Sequence, residues 1–440
     1  MKNITKITAA ASAAVLLTTG CTFGSNIDNL MAPPKLSGEQ EQIYKALTDA
    51  AVTAISLKYP KSGKYLSAFI VEDIDGDNEN EAIVFYEKSM LTVEENPLRM
   101  NILDQEDGKW RSVTDTNVKG AEIEKVMISK LGSNDRVNII IGTSLINRSE
   151  KNVSIYHYSH DEGTVEPTFS AACSFIDVTD LDSDGENEFL LLSGSTDLAP
   201  TAAEAYKLND EGKYLQYRCE LSGSFTEFDS LLYGRINSTQ RGLYIDAHSG
   251  TGSIQTDIIY MDKTGLNKVF KTPEESLSTV RPAGCASFDV DGDGILEIPV
   301  QSIAPGYEDT SEGEQMKLTS WMFTGDDGTL KKKCSSYYSV NDGYIFVFPD
   351  KWQDKVTVKR DIVNDEIVFC AYSGGKTGRE LLRICCAVDT PSREDRLSNG
   401  YMFLRSKGEA AYLAYIPQDS SGDGLTLSAG ETAVGFRANS

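Results

Sequence analysis

Three short segments of this sequence repeat the same order of carboxylate side chains. They read Asp73-Ile-Asp75-Gly-Asp77-Asn-Glu79-Asn-Glu81, Asp180-Leu-Asp182-Ser-Asp184-Gly-Glu186-Asn-Glu188 and Asp289-Val-Asp291-Gly-Asp293-Gly-Ile295-Leu-Glu297. Acidic residues stand at positions 1, 3, 5 and 9 of each, and position 6 is Asn78, Gly185 or Gly294. Asn and Gly accept the left-handed backbone that a tight curl needs. Alternate side chains of such a curl converge, and converging carboxylates repel one another unless a cation lies among them. Hard oxygen donors in this number suit calcium at ~2.3–2.6 Å, with the position-7 carbonyl of Glu79, Glu186 or Ile295 completing the shell. Three structural calcium sites are therefore expected. An EF-hand is excluded, because its closing carboxylate stands at position 12, which here is Val84, Leu191 or Val300 inside an apolar run.

Other constellations offer less. The histidines are His157, His160 and His248. The first two form an HxxH in an alternating segment, where residues three apart face opposite sides of a strand, so a zinc pair is not expected. Asp246, His248 and Ser249 are neighbours in sequence without a nucleophile elbow, and adjacency is not triad geometry. No Gly-rich phosphate loop is present. Asp177, Glu227, Asp229 and Asp257 remain as scattered acids without a defensible pairing. No catalytic residue is assigned.

The acidic loops each lie between two short apolar runs, and they begin at 73, 180 and 289, near-equal intervals of a little over a hundred residues. The spacing is about twice a propeller blade. Segments 126–142 and 231–246 supply the intervening strand-turn-strand units without acids, and Asp107-Gly108, Glu162-Gly163, Glu211-Gly212, Thr264-Gly265 and Asp327-Gly328 mark further hairpins. Five four-stranded units follow, at roughly 66–120, 121–170, 171–222, 223–275 and 283–340. The expected fold is mainly β: a five-bladed β-propeller over 66–340, with an N-terminal helix and a small C-terminal α+β domain over 341–440. A β-sandwich would also supply hairpins, but it gives no reason for regularly spaced acidic loops. The 304–314 insertion in the last unit is either a binding element on one rim or loop decoration.

Before the first unit, Ser37 and Gln40 form a capping box and Ile43, Leu47, Ala50, Ala51, Ala54 and Ile55 share one helical face up to Pro60, which predicts an amphipathic helix within 36–60. After Asn341-Asp342-Gly343, Tyr344, Phe346 and Trp352 begin a new strand series, either as core or as the lining of a ligand groove, and 391–397 reads as a helix. Cys385 and Cys386 should point to opposite faces of a strand. Apart from Cys21, seven cysteines remain without a CxxC pair, which signals neither a disulfide framework nor a zinc knuckle.

At the N-terminus, Lys2 and Lys6, an apolar run from Ile7 to Leu17, and Thr18-Thr19-Gly20 before Cys21 read as a targeting segment over 1–20. The Gly-, Ser- and Pro-containing stretch 21–35 reads as a tether.

Three resemblances extend these readings. The acidic loops resemble those of FG-GAP or VCBS repeats, the propeller repeats of integrin α subunits, with Glu81, Glu188 and Glu297 in place of the final Asp and Asn78 in place of Gly. The resemblance implies that calcium is structural, tying two strands of one blade. The approach to Cys21 resembles a bacterial lipobox, with Thr18 where Leu is usual and Leu17 displaced by one. It implies cleavage before Cys21 and lipidation of its thiol, hence an extracytoplasmic chain held on a membrane. The alternative is an ordinary signal peptide. The segment after 341 resembles a PsbP-like domain, from which no functional residue is carried over.

A net charge of −24, from 42 basic and 66 acidic residues, argues against nucleic acid or anionic headgroups as partners. The expected function is a non-enzymatic, membrane-anchored binding or scaffold module for a protein or glycan ligand. The alternative is a carbohydrate-active enzyme, since five-bladed propellers include glycosidases, whose chemistry needs two facing carboxylates at an axial pocket.

Overall fold

The computed structural model describes residues 36–88, 98–144, 151–418 and 421–438. The expected signal segment, the lipidation site Cys21 and the tether lie outside the described residues. Among those described, no helix is long and apolar enough to cross a membrane.

Helix α1 (Gly38–Ala51) opens on the expected capping box: Ser37 Oγ accepts from the Gln40 amide while Gln40 Oε1 accepts from that of Ser37. Its Ile43, Leu47 and Ala51 are buried. The helix stops at Val52, which adopts φ 61°, and does not run on toward Pro60. Ile55–Leu57 becomes instead a strand paired with Tyr86–Lys88. The ladder offered by that edge outweighs a helical stripe whose last turn is made of β-branched Val52 and Thr53. Ser37→Ala is expected to lower the unfolding free energy by about 1 kcal/mol without changing the folded far-UV spectrum, as read in a urea titration.

Six antiparallel sheets follow in chain order. Sheet I comprises strands within 55–57 and 69–117, sheet II within 122–173, sheet III within 175–220, and sheet IV within 227–268 with 281–282. Sheet V spans 298–347 and takes a fifth strand, Phe436–Ala438, and sheet VI spans 356–415. Strand Tyr344–Val347 thus belongs to sheet V although it lies beyond the boundary expected at 341. Successive sheets pack through shared apolar clusters. Ile83 and Phe85 meet Ile139 and Ile141 between I and II, and Ile140 and Ile155 meet Phe189 and Leu191 between II and III. Leu190 and Ala203 meet Leu243 and Ile245 between III and IV, and Tyr244 and Ile258 meet Ile298 between IV and V.

The opposite face of sheet I, formed by Ala82, Val84 and Tyr86, packs on Ile43 and Leu47 of α1. Sheet I therefore carries α1 on the face turned away from sheet II. At the other end, Tyr344 and Phe346 of sheet V join Phe369, Leu382 and Tyr412 of sheet VI and the fully buried Trp352 in one core. Trp352 donates its indole N–H to the Leu425 carbonyl at 2.7 Å. These aromatics are core, and Tyr344 also borders a small pocket beside Arg360 and Glu366. The 304–316 insertion is tied to the same core: Ala304 is buried, Tyr307 packs beside it, and Thr357 Oγ1 donates to the Pro305 carbonyl. None of the seven described cysteines is in a disulfide, and Thr390–Ser398 forms the helix expected near 391–397.

Candidate metal centres

The three acidic loops adopt one hydrogen-bond pattern. The position-1 carboxylate accepts from the amide of position 6: Asn78 to Asp73 at 3.1 Å, Gly185 to Asp180 at 3.0 Å, and Gly294 to Asp289 at 2.8 Å. The position-5 carboxylate accepts from position 7, with Glu79, Glu186 and Ile295 as donors to Asp77, Asp184 and Asp293. Position 9 closes the curl by accepting from position 2, with Ile74, Leu181 and Val290 as donors to Glu81, Glu188 and Glu297. Asn78, Gly185 and Gly294 have φ of 73°, 92° and 84°, the left-handed conformation for which their type was singled out. The first two loops each join two strands of one sheet and the third is closed by a bridge between Phe288 and Glu297, and the position-9 glutamate of each is almost wholly buried.

Ligand atoms of Asp73, Asp75 and Glu81, of Asp180, Asp182 and Glu188, and of Asp289, Asp291 and Glu297 lie within 4.8 Å of one another in each set. A donor set made only of carboxylates fits a hard cation. Three buried oxygens sharpen the case. Asp75 Oδ2, on a side chain 8% exposed, and Glu188 Oε1 and Glu297 Oε1, on residues 0% exposed, accept no aligned hydrogen bond, although Glu188 Oε1 meets the Lys207 ammonium as an ion pair. A buried polar atom without a partner costs about 1–3 kcal/mol, and a bound cation would remove that cost. Burial pushes each of Glu81, Glu188 and Glu297 up to about 7, against the pull of its backbone amide donor.

The surroundings of the loops differ. Ala82 pairs with Leu103, Phe189 with Tyr206 and Ile298 with Met322, so the residue across from each buried glutamate is Asp104, Lys207 and Phe323 in turn. Asp104 adds a carboxylate beside the first loop, and His160 Nδ1 approaches it at 3.0 Å and Asp75 at 3.6 Å. Lys207 Nζ reaches Asp182 at 3.1 Å, Asp184 at 2.5 Å and Glu188 at 2.9 Å. Burial alone would lower the Lys207 pKa, but its three carboxylate partners raise it. At the third loop Lys333, from a further strand, bonds Asp293 at 2.6 Å and Asp291 at 2.9 Å. Asp104, His160, Lys207 and Lys333 were not singled out from the loop pattern; the antiparallel register is the signal that finds the first and third.

The scattered acids are accounted for. Asp177 bonds Lys125 at 2.6 Å and the Tyr233 hydroxyl at 3.0 Å. Asp257 is buried under the Ser222 and Ile258 amides, and burial pushes it up to about 6. Asp246 is buried against Arg281 at 2.8 Å and accepts from Thr256 and Ser287, which takes it out of any triad with His248. His248 lies 3.5 Å from Asp229. His157 faces the Val137 carbonyl, apart from the acidic cluster beside His160. Between sheets II, III and IV lies a cavity of about 690 Å³ lined by Lys151, Phe175, Ser195, Thr196, Phe228 and Leu231, with Glu227 as its carboxylate.

No family model matches this chain, and no curated protein matches its sequence. Among solved structures, a periplasmic gluconolactonase of Pseudomonas aeruginosa is similar at a TM-score of 0.30 and 11% identity, over 74% of this chain and 88% of that one. A likeness of that size assigns neither activity nor substrate.

Proposed function

We propose that this chain is a calcium-binding, extracytoplasmic protein held on a membrane through a lipid at Cys21, with its successive blade-like sheets serving as a binding or scaffold module. The observation that carries the calcium reading is the set of buried carboxylate oxygens that accept no hydrogen bond, Asp75 Oδ2, Glu188 Oε1 and Glu297 Oε1, each among three converging acids. In this reading the metal is structural: the aspartates come from the curl of each loop and the glutamate from the segment that closes it, so an ion ties together the two chain segments that the loop joins. The ligand of the module, a protein or a glycan, would be received in the cavity between sheets II, III and IV. An enzyme of the two-carboxylate type is less well supported, since Glu227 is the single acid among the described residues lining that cavity.

Calcium titration of the full-length chain at pH 7.5 and at pH 5.5 tests the metal reading. Binding is expected at pH 7.5 and should weaken by roughly tenfold or more at pH 5.5, because each buried glutamate then holds a proton that calcium must displace. Absence of calcium binding at both values would overturn it.

A further inference from the structure

The three acidic loops share a sequence pattern, but the strand next to each loop presents it with a different side chain. If the loops take calcium as proposed above, those neighbours decide which of them do. We propose that the second loop carries its own cation, the ammonium of Lys207, so that the chain binds calcium at the first and third loops only.

The argument is one of competing occupancy. Lys207 Nζ lies within 3.1 Å of oxygens on Asp182, Asp184 and Glu188, three of the four acids at positions 1, 3, 5 and 9 of the second loop. Calcium would need the same oxygens at ~2.3–2.6 Å, and two cations cannot share them. The lysine is held there by the fold: it follows Tyr206, which pairs with Phe189, so the ladder sets it opposite Glu188 whether or not a metal is present. Its side chain is 12% exposed, and swinging it aside would leave its charge without partners in a buried setting.

The other two loops lack this filling. Across from Glu81 stands Asp104, which brings a further carboxylate toward the first loop and no positive charge of its own. More ligand charge tightens calcium sites, so the first loop should be the tightest. Across from Glu297 stands Phe323, and Lys333 touches only the outer pair, Asp291 and Asp293, from a side chain 32% exposed. Glu297 Oε1, like Glu188 Oε1, accepts no hydrogen bond, but among the described residues no ammonium stands at ion-pair distance from it as Lys207 does from Glu188. An ammonium so placed can move off into water as calcium enters, at the small cost of a half-exposed ion pair.

Calcium-45 equilibrium dialysis of the full-length chain reads the number directly. Two ions per chain are expected for the natural sequence and three for Lys207→Met, which keeps the aliphatic stem and removes the charge. Lys333→Met should leave the count at two and tighten the weaker site by no more than about fivefold. Asp182→Asn should also leave two, a result available if Lys207→Met does not fold. Three ions on the natural sequence, loss of an ion in Asp182→Asn, or a folded Lys207→Met that still takes two would overturn the inference while leaving calcium binding intact. No ion on the natural chain would instead remove the reading on which it rests.

Discussion

Excess chelator is expected to lower the thermal midpoint of the full-length chain by roughly 10 °C at pH 7.5. An ion present at a hundred times its dissociation constant stabilises the fold by about 2.7 kcal/mol per site, so two sites give about 5 kcal/mol. At roughly 2 °C per kcal/mol the shift follows. Differential scanning calorimetry with and without calcium checks it, and an unchanged midpoint would mean that the loops are not metal sites. The chelated protein should also show a pH dependence of defined sign. Glu81, Glu188 and Glu297 hold their protons up to about 7 when folded, against 4.5 for the free side chain. Between those values the folded chain binds more protons than the unfolded one, so stability should fall as pH rises from 4.5 to 7 and level off above. Calcium should flatten or reverse that slope, because it favours the ionised carboxylates.

Replacing Arg281 with Ala is expected to cost about 3–5 kcal/mol, the scale for stripping one partner from a buried ion pair. Arg281 and Asp246 are 0% and 1% exposed in their side chains. The guanidinium also donates to Thr256 Oγ1 at 2.8 Å, the Thr279 carbonyl at 3.0 Å and Ser287 Oγ at 3.1 Å. Asp246 in turn takes the Ser287 amide at 2.7 Å. Without the arginine, Asp246 would be a buried charge held only by the Ser287 amide and two hydroxyls, with no positive charge beside it. The double change Arg281→Met with Asp246→Leu should recover much of the loss, since it removes both charges together. Urea unfolding of the three proteins separates these outcomes, and a single-site cost under 1 kcal/mol would show that water reaches the pair. Ser287 lies two residues before Asp289, so the single variant should also weaken calcium at the third loop.

The acidic loops were legible because their side chains are local: nine consecutive residues carry carboxylates at positions 1, 3, 5 and 9 and an Asn or Gly where the curl demands it. What surrounds them was not legible, because Asp104 and Lys207 reach the loops through strand pairing and His160 through the packing of sheet II on sheet I. The hairpin turns at Asp107-Gly108 and Asp327-Gly328 announced themselves by residue type, and the five units read from them fall close to sheets I–V. The end of α1 was misplaced for an energetic reason: an apolar stripe continues past Val52, and only the waiting edge at Tyr86–Lys88 decides that the chain leaves the helix there. The burial of Trp352 under sheet VI was left open, since aromatics at strand spacing look the same in a core and in a groove.

The fifth strand of sheet V has a consequence for the order of folding. Phe436–Ala438 pairs with Tyr344–Val347, and residues 348–435, the whole of sheet VI included, lie between the two. Until that long excursion has settled, Tyr344–Val347 is a bare rim with unmet amides and carbonyls, the kind of template that recruits a strand from another molecule. Because closing so large a loop is slow, the final step of maturation should be the one most exposed to self-association, and a helper that shields this rim during synthesis or export would have a defined place to act.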